Sequence, residues 1–178
     1  MEHLREKCTM PNRKLNEEII NCIIEAFIDL LSDREFDDIS IVDIIRHAGV
    51  SRNSFYRNFS SKEDILVRHI SRTTDELVDS NIIPVLETPW EDYIAGLLIH
   101  LNNHKPFLEI LERNGKLHLI SRITDETIIR RTQGKLDCYH QAFLSGGLFN
   151  LYKYWAGNGY KHEPSEVGRV FSKEVLGL

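Results

Sequence analysis

Arg52, Asn53, Ser54, Tyr56 and Arg57 lie within a single stretch of six positions. Each carries a group that can hydrogen-bond a nucleotide. Arginine can bond guanine bidentately and asparagine can bond adenine in the same way, each for about 1–3 kcal/mol of discrimination. Phe55 and Phe59 are interleaved with them, four apart, so the two rings share one face of a helix. A short helix with an apolar underside and an Arg/Asn/Ser/Tyr outer face suits the DNA major groove. The expected base readers are Arg52, Asn53 and Ser54. Tyr56, Arg57, Asn58 and Lys62 are assigned to phosphate, with Ser40 contributing at its helix N-terminus. Ser51, the expected cap of the reading helix, is counted with the DNA-binding residues.

Two short helices and a tight turn must hold these side chains. Ser40 is placed to cap the first helix, with Asp43 three residues on to complete a capping box. Ile41, Ile44 and Ile45 give that helix one apolar face. Gly49 suits a left-handed C-cap, where a Cβ would clash. Ser51 then caps the second helix. From Ser40 to Lys62 the cations are Arg46, Arg52, Arg57 and Lys62, against the single anion Asp43, a local +3 in a chain of net charge −5. A local patch is enough for DNA, because phosphate neutralisation is a local matter. The same charges could also be a solvated surface, and the capped turn with its two-Phe underside favours the reader.

The string Ala48 to Leu66, AGVSRNSFYRNFSSKEDIL, resembles the DNA-binding domain of TetR-family transcriptional regulators. With the preceding helix the likeness runs from about Leu15 to Leu66. Asn53 stands where the family often has glycine, and Glu35-Phe36 followed by Ser40 replaces a common Gly-plus-aromatic step before a capping Thr. The resemblance implies an all-α fold: a three-helix reader, then a helical regulatory and dimerisation domain. It implies a homodimer on a palindromic operator, double-stranded DNA as partner and a small-molecule effector. The expected role is a ligand-responsive repressor. Phe143 to about Val170 loosely resembles a Firmicutes-type regulatory domain, including relatives of dihydroxyacetone-kinase regulators.

The rest of the chain sets the frame. At 178 residues, 42% hydrophobic and 28% charged, it suits an ordinary globular protein of one or two domains. No apolar run approaches the ~20 residues needed to span a membrane, and the polar start predicts no signal peptide. Three scattered cysteines fit free thiols in a reducing cytoplasm. The expected divisions are a loose arm over 1–14, the reader over 15–62, a connecting helix over 63–83, and a ligand-binding and dimerisation domain over 84–178.

Helical patterns are expected over 15–32, from Ser61 to about Ile82, from Pro89 to near Lys105, over 107–112, 118–132 and 136–157, and from Pro164 to the end. Ser61 with Asp64, and Thr88 with Pro89 and Glu91, read as start signals. Trp90, Tyr93, Leu97, His100, Phe107, Leu111, Tyr139 and Phe143 are candidates to line an effector pocket; aromatics at helical spacing can equally be core. Gly146 and Gly147 cost their helix about 1 kcal/mol each relative to alanine, which a close partner backbone would offset. By resemblance the last two helices form the dimer face, giving Gly146, Gly147, Phe149, Trp155, Val167, Val170 and Phe171. The alternatives are packing within one chain or a kink.

His100 and His104 are four apart and could share a metal, but no third ligand has fixed spacing, and no metal or cofactor is expected. There is no phosphate-cradling Gly-rich loop, nucleophile elbow or carboxylate pair in an apolar setting, so catalysis is not expected. The other reading left open is a helical interaction module that keeps this fold without binding DNA.

Overall fold

The computed structural model describes the backbone of residues 3–79, 89–132 and 137–175. All regular structure among them is helical: α1 (His3–Asp33), α2 (Ile41–Ala48), α3 (Arg52–Asn58), α4 (Lys62–Asp79), α5 (Trp90–Asn103), α6 (Lys105–Arg113), α7 (His118–Thr132), α8 (Cys138–Gly157) and α9 (Pro164–Val170). A 3₁₀ turn covers Phe36–Asp38, and a π-helical turn, Phe171–Val175, ends the described chain. The chain divides into two compact units, Met1–His69 and Ile70–Leu178. The division falls within α4, whereas the expected boundary between 83 and 84 lies outside the described residues.

In the first unit α1 is the spine. Ile20, Ile23, Ile24, Phe27 and Leu31 are buried along it, at the spacing read from the sequence. They meet Ile39, Ile44 of α2, Phe55 and Phe59 of the reading helix, and Ile65 and Leu66 of α4, all buried. Phe27 and Phe36 pack edge to face with centroids 5.8 Å apart. Each such side chain contributes about 1.5–3 kcal/mol when fully buried. The expected loose arm is corrected, since α1 begins at His3 and residues 3–14 are helical. Leu, Arg, Glu, Lys and Met in that stretch all favour helix, and a terminal position does not cancel propensity.

In the second unit α5 packs on α9 and α7 on α8. α5 starts at Trp90 with Pro89 in the cap position, one residue later than a Thr88 cap would set it; Thr88 itself lies outside the described residues. α6 stops at Arg113, one residue past the expected 112, with Gly115 at φ 65°, and α8 stops at Gly157 as expected, with Gly159 at φ 70°. The close backbone approach is at Gly168 of α9, not at Gly146 or Gly147. A Cβ on Gly168 would fall inside the envelope of the Glu91 carbonyl on α5. At Gly146 and Gly147 a Cβ would meet nothing within 4 Å.

Candidate nucleic-acid interface

The turn between α2 and α3 is built as its residues dictate. Ser40 Oγ accepts from the Asp43 amide at 3.1 Å, and the Asp43 carboxylate accepts from the Ser40 N–H at 3.0 Å. Gly49 closes α2 at φ 66°, and the Val50 N–H reaches back to the Ile45 carbonyl at 3.2 Å, a hydrogen-bonded stop that needs the left-handed residue. Ser51 Oγ then accepts from the Ser54 N–H at 3.0 Å and starts α3. Phe55 and Phe59 anchor α3 with rings 5.9 Å apart. Arg52, Asn53, Tyr56 and Arg57 are left exposed on its outer side; Tyr56 is 60% exposed.

Three of the residues expected at phosphate have polar partners within the chain. Lys62 is turned inward: its Nζ donates to the carbonyls of Phe36 at 2.6 Å and Ile39 at 2.7 Å and lies 4.4 Å from the Phe36 ring centroid. An ammonium has three donors, and two of them tie the start of α4 to the 3₁₀ turn. Asn58 is half-buried, with its Nδ2 donating to the Ser54 carbonyl at 2.8 Å and its Oδ1 accepting from Asn16 at 3.0 Å. Ser40 spends its hydroxyl on Asp43, at 2.7 Å, as well as its N–H. The Ser40 bonds, with Arg34 and Arg46 nearby, hold the Asp43 carboxyl below its ordinary value. An anion in that position does not invite a phosphate. Ser51 and Ser54 share a hydroxyl–hydroxyl bond of 2.9 Å.

Sequence reasoning missed two side chains that brace this surface. Asn16 on α1 accepts from the Arg57 guanidinium at 3.2 Å while donating to Asn58. Asp29 on α1 pairs with His47 of α2 at 2.7 Å. Both pairs join residues far apart in the chain, so no local spacing signals them. The expected cap at Ser61 is present, its Oγ accepting from the Asp64 N–H at 3.1 Å. The Asp64 carboxylate reaches one residue further back, to the N–H and hydroxyl of Ser60, and these bonds lower its pKa.

The effector candidates do not assemble as expected. Tyr93, Phe107 and Leu111 are buried core, and Trp90, Leu97 and His100 are half-buried. Tyr139 and Phe143 are instead 84% and 54% exposed; on α8 they fall on the solvent side of that helix. His100 and His104 rings lie 4.6 Å apart. Burial first, and His104 second, pushes the His100 pKa down to about 4. Among the described residues no group of three or more His, Cys, Asp or Glu side chains could hold a metal. A cavity of about 490 Å³ lies instead between α8 and α9, walled by Leu151, Tyr154, Trp155, Val167, Val170 and Phe171, with Asn158, Lys161, His162 and Glu166 supplying polar groups.

Four of the dimer candidates, Trp155, Val167, Val170 and Phe171, line that groove. Trp155 is held within the chain. It is buried, its Nε1 donates to the His162 carbonyl at 2.7 Å, and its ring packs 4.8 Å from Tyr160. Tyr160 has φ 59°, a conformation costing a non-glycine residue about 1–2 kcal/mol. The Trp155 ring and Lys105 Nζ, 4.4 Å from the Tyr160 centroid, offset it. Phe149 is half-buried, with Lys153 Nζ 5.8 Å from its ring centroid.

A sequence profile described as bacterial regulatory proteins, tetR family, matches residues 23–68, covering the α2–turn–α3 geometry above. The helix-turn-helix segment is of the TetR type. The uncharacterised HTH-type transcriptional regulator YxbF of Bacillus subtilis is 26% identical over 159 residues, 83% of this chain and 42% of that protein. The dhaKLM operon transcriptional activator DhaS of Lactococcus lactis is 26% identical over 95 residues, 52% of this chain and 49% of that protein. The chain thus spans less than half the length of these curated relatives. A TetR transcriptional regulator from Streptococcus agalactiae has the same fold, with TM-score 0.64 at 19% identity over 94% of this chain and 98% of that one. The described residues form an all-α fold with a TetR-type helix-turn-helix, and among them no helix is long and apolar enough to cross a membrane.

Proposed function

We propose that the protein is a sequence-specific DNA-binding regulator that acts as a homodimer on a palindromic operator and represses until a small molecule binds its second unit. The observation carrying this is α3, a capped helix bolted down by Phe55 and Phe59 with Arg52, Asn53, Tyr56 and Arg57 left exposed. Arg52 and Asn53 are the base readers, with Ser54 beside them. Tyr56 and Arg57 meet phosphate. Arg46, 77% exposed on the last turn of α2, adds to the positive field.

Two copies joined through α8 and α9 would set two α3 helices about one DNA turn, ~34 Å, apart. The open space over Gly146 and Gly147 and the apolar groove bearing Val167, Val170 and Phe171 support that face. The effector acts by binding one dimer geometry better than the other, and only that difference in affinity can release DNA. The reducing cytoplasm, where the regulated DNA lies, is the proposed location.

The test is fluorescence anisotropy of a duplex from the DNA flanking the protein's own gene, against a scrambled duplex, across a salt series. A preference of about 10³-fold or more is expected. Equal weak binding to both at every salt would favour an interaction module over a reader.

A further inference from the structure

Asn16 lies on α1, outside the basic stretch Ser40–Lys62 and 41 residues from Arg57. Its carboxamide joins two side chains of the reading helix at once. Oδ1 accepts from the Arg57 guanidinium at 3.2 Å, and Nδ2 donates to Asn58 Oδ1 at 3.0 Å. Asn58 passes the chain on, its Nδ2 donating to the Ser54 carbonyl at 2.8 Å. Each amide is oriented by its neighbour, because flipping Asn16 would set an N–H against the guanidinium. Asn16 is half-buried while Arg57 is exposed. A fixed inner group therefore holds an outer cation by one of its five donors, leaving the remainder of the fork to a ligand.

We propose that Asn16 is a positioning residue for DNA binding, holding the Arg57 guanidinium in place for a backbone phosphate before DNA arrives. The inference rests on the reading of α3 as the DNA-contacting helix. An arginine free in solution gives up considerable rotamer freedom on binding, and ordering it beforehand removes that cost from association. Asn16 itself touches no DNA in this scheme. Its effect on binding must pass through Arg57, and that dependence separates positioning from plain support of the fold.

The experiment uses the full chain and a mixed-sequence duplex of about 30 base pairs, the salt slope reporting phosphate contacts. Wild type, Asn16→Ala, Arg57→Ala, the double variant and Ile44→Val are compared by anisotropy, with Tm measured for each. Arg57→Ala is expected to reduce the slope by ~0.9 for each copy that contacts the duplex. Asn16→Ala is expected to weaken binding about 2- to 10-fold when Arg57 is present, the scale of ordering one long side chain, and not measurably when Arg57 is absent.

Ile44→Val trims a fully buried side chain of the same unit at a cost of about 0.5–1.5 kcal/mol, so it should lower Tm while keeping the wild-type slope and affinity. Equal losses from Asn16→Ala with and without Arg57 would overturn the positioning role, as would a loss from Ile44→Val matching that of Asn16→Ala. If wild type binds no duplex even at low salt, the reading of α3 itself falls, and the role of Asn16 with it.

Discussion

Arg52 and Lys62 carry the same charge ten positions apart, yet the structure sends them opposite ways. Arg52 is exposed at the first turn of α3, whereas the Lys62 ammonium is held by two backbone carbonyls under the Phe36 ring. The sequence carries residue type and turn position, which is why the caps at Ser40, Ser51 and Gly49 were legible. It does not carry the reach of a four-carbon side chain across to carbonyls 23 and 26 residues away. Arg52→Ala should therefore flatten preference between operator and scrambled duplex by about 1–3 kcal/mol, with little change for random DNA. An equal loss on both duplexes would make Arg52 a phosphate contact. Lys62→Ala leaves two carbonyls without their ammonium, a loss of about 1–3 kcal/mol. A clear fall in Tm with an unchanged salt slope is expected; a slope reduced at constant Tm would return Lys62 to the phosphates.

Among the elements, helix existence was read well because apolar periodicity is a local property. The starts and stops of α6, α7 and α8 fall within two residues of expectation where they are described. Partner choice was not legible, because it depends on which helices meet. Gly168 shows this: nothing in its neighbours marks it, yet the Glu91 carbonyl of α5 lies where its Cβ would be. Gly168→Ala should push α9 off α5 and cost about 1–3 kcal/mol, as overpacking does. A Tm at or above wild type in calorimetry would contradict that close approach.

His100 on α5 adds a pH signature. Its folded pKa of about 4 lies below its ordinary value of 6.5. The unfolded chain therefore takes up the proton first as pH falls. Stability should be fully present above pH 6.5 and decline toward pH 4. His100→Gln should lessen that decline in a pH series of melts; an unchanged pH profile would show that burial does not hold the ring neutral.

For the molecule as a whole, the proposed reading of a palindrome requires two copies. The face assigned to that contact has apolar side chains that the isolated chain leaves partly open: Val170 is 39% exposed and borders the groove between α8 and α9. In a two-fold contact each residue meets the same patch on its partner, so one substitution acts twice. Val170→Asp would bury two carboxylates in an apolar contact, and buried charge without a partner is costly. Light scattering at micromolar concentration should then find monomers with wild-type helicity.

DNA affinity should fall in step with dimerisation. Two linked readers gain from effective concentration, and losing that link removes a factor of about 10²–10⁴, although no residue of α3 has changed. Dimers that persist in Val170→Asp would move the interface off α9. Monomers that bind the operator as tightly as wild type would mean that a single copy reads it, and the palindrome would then be no part of recognition.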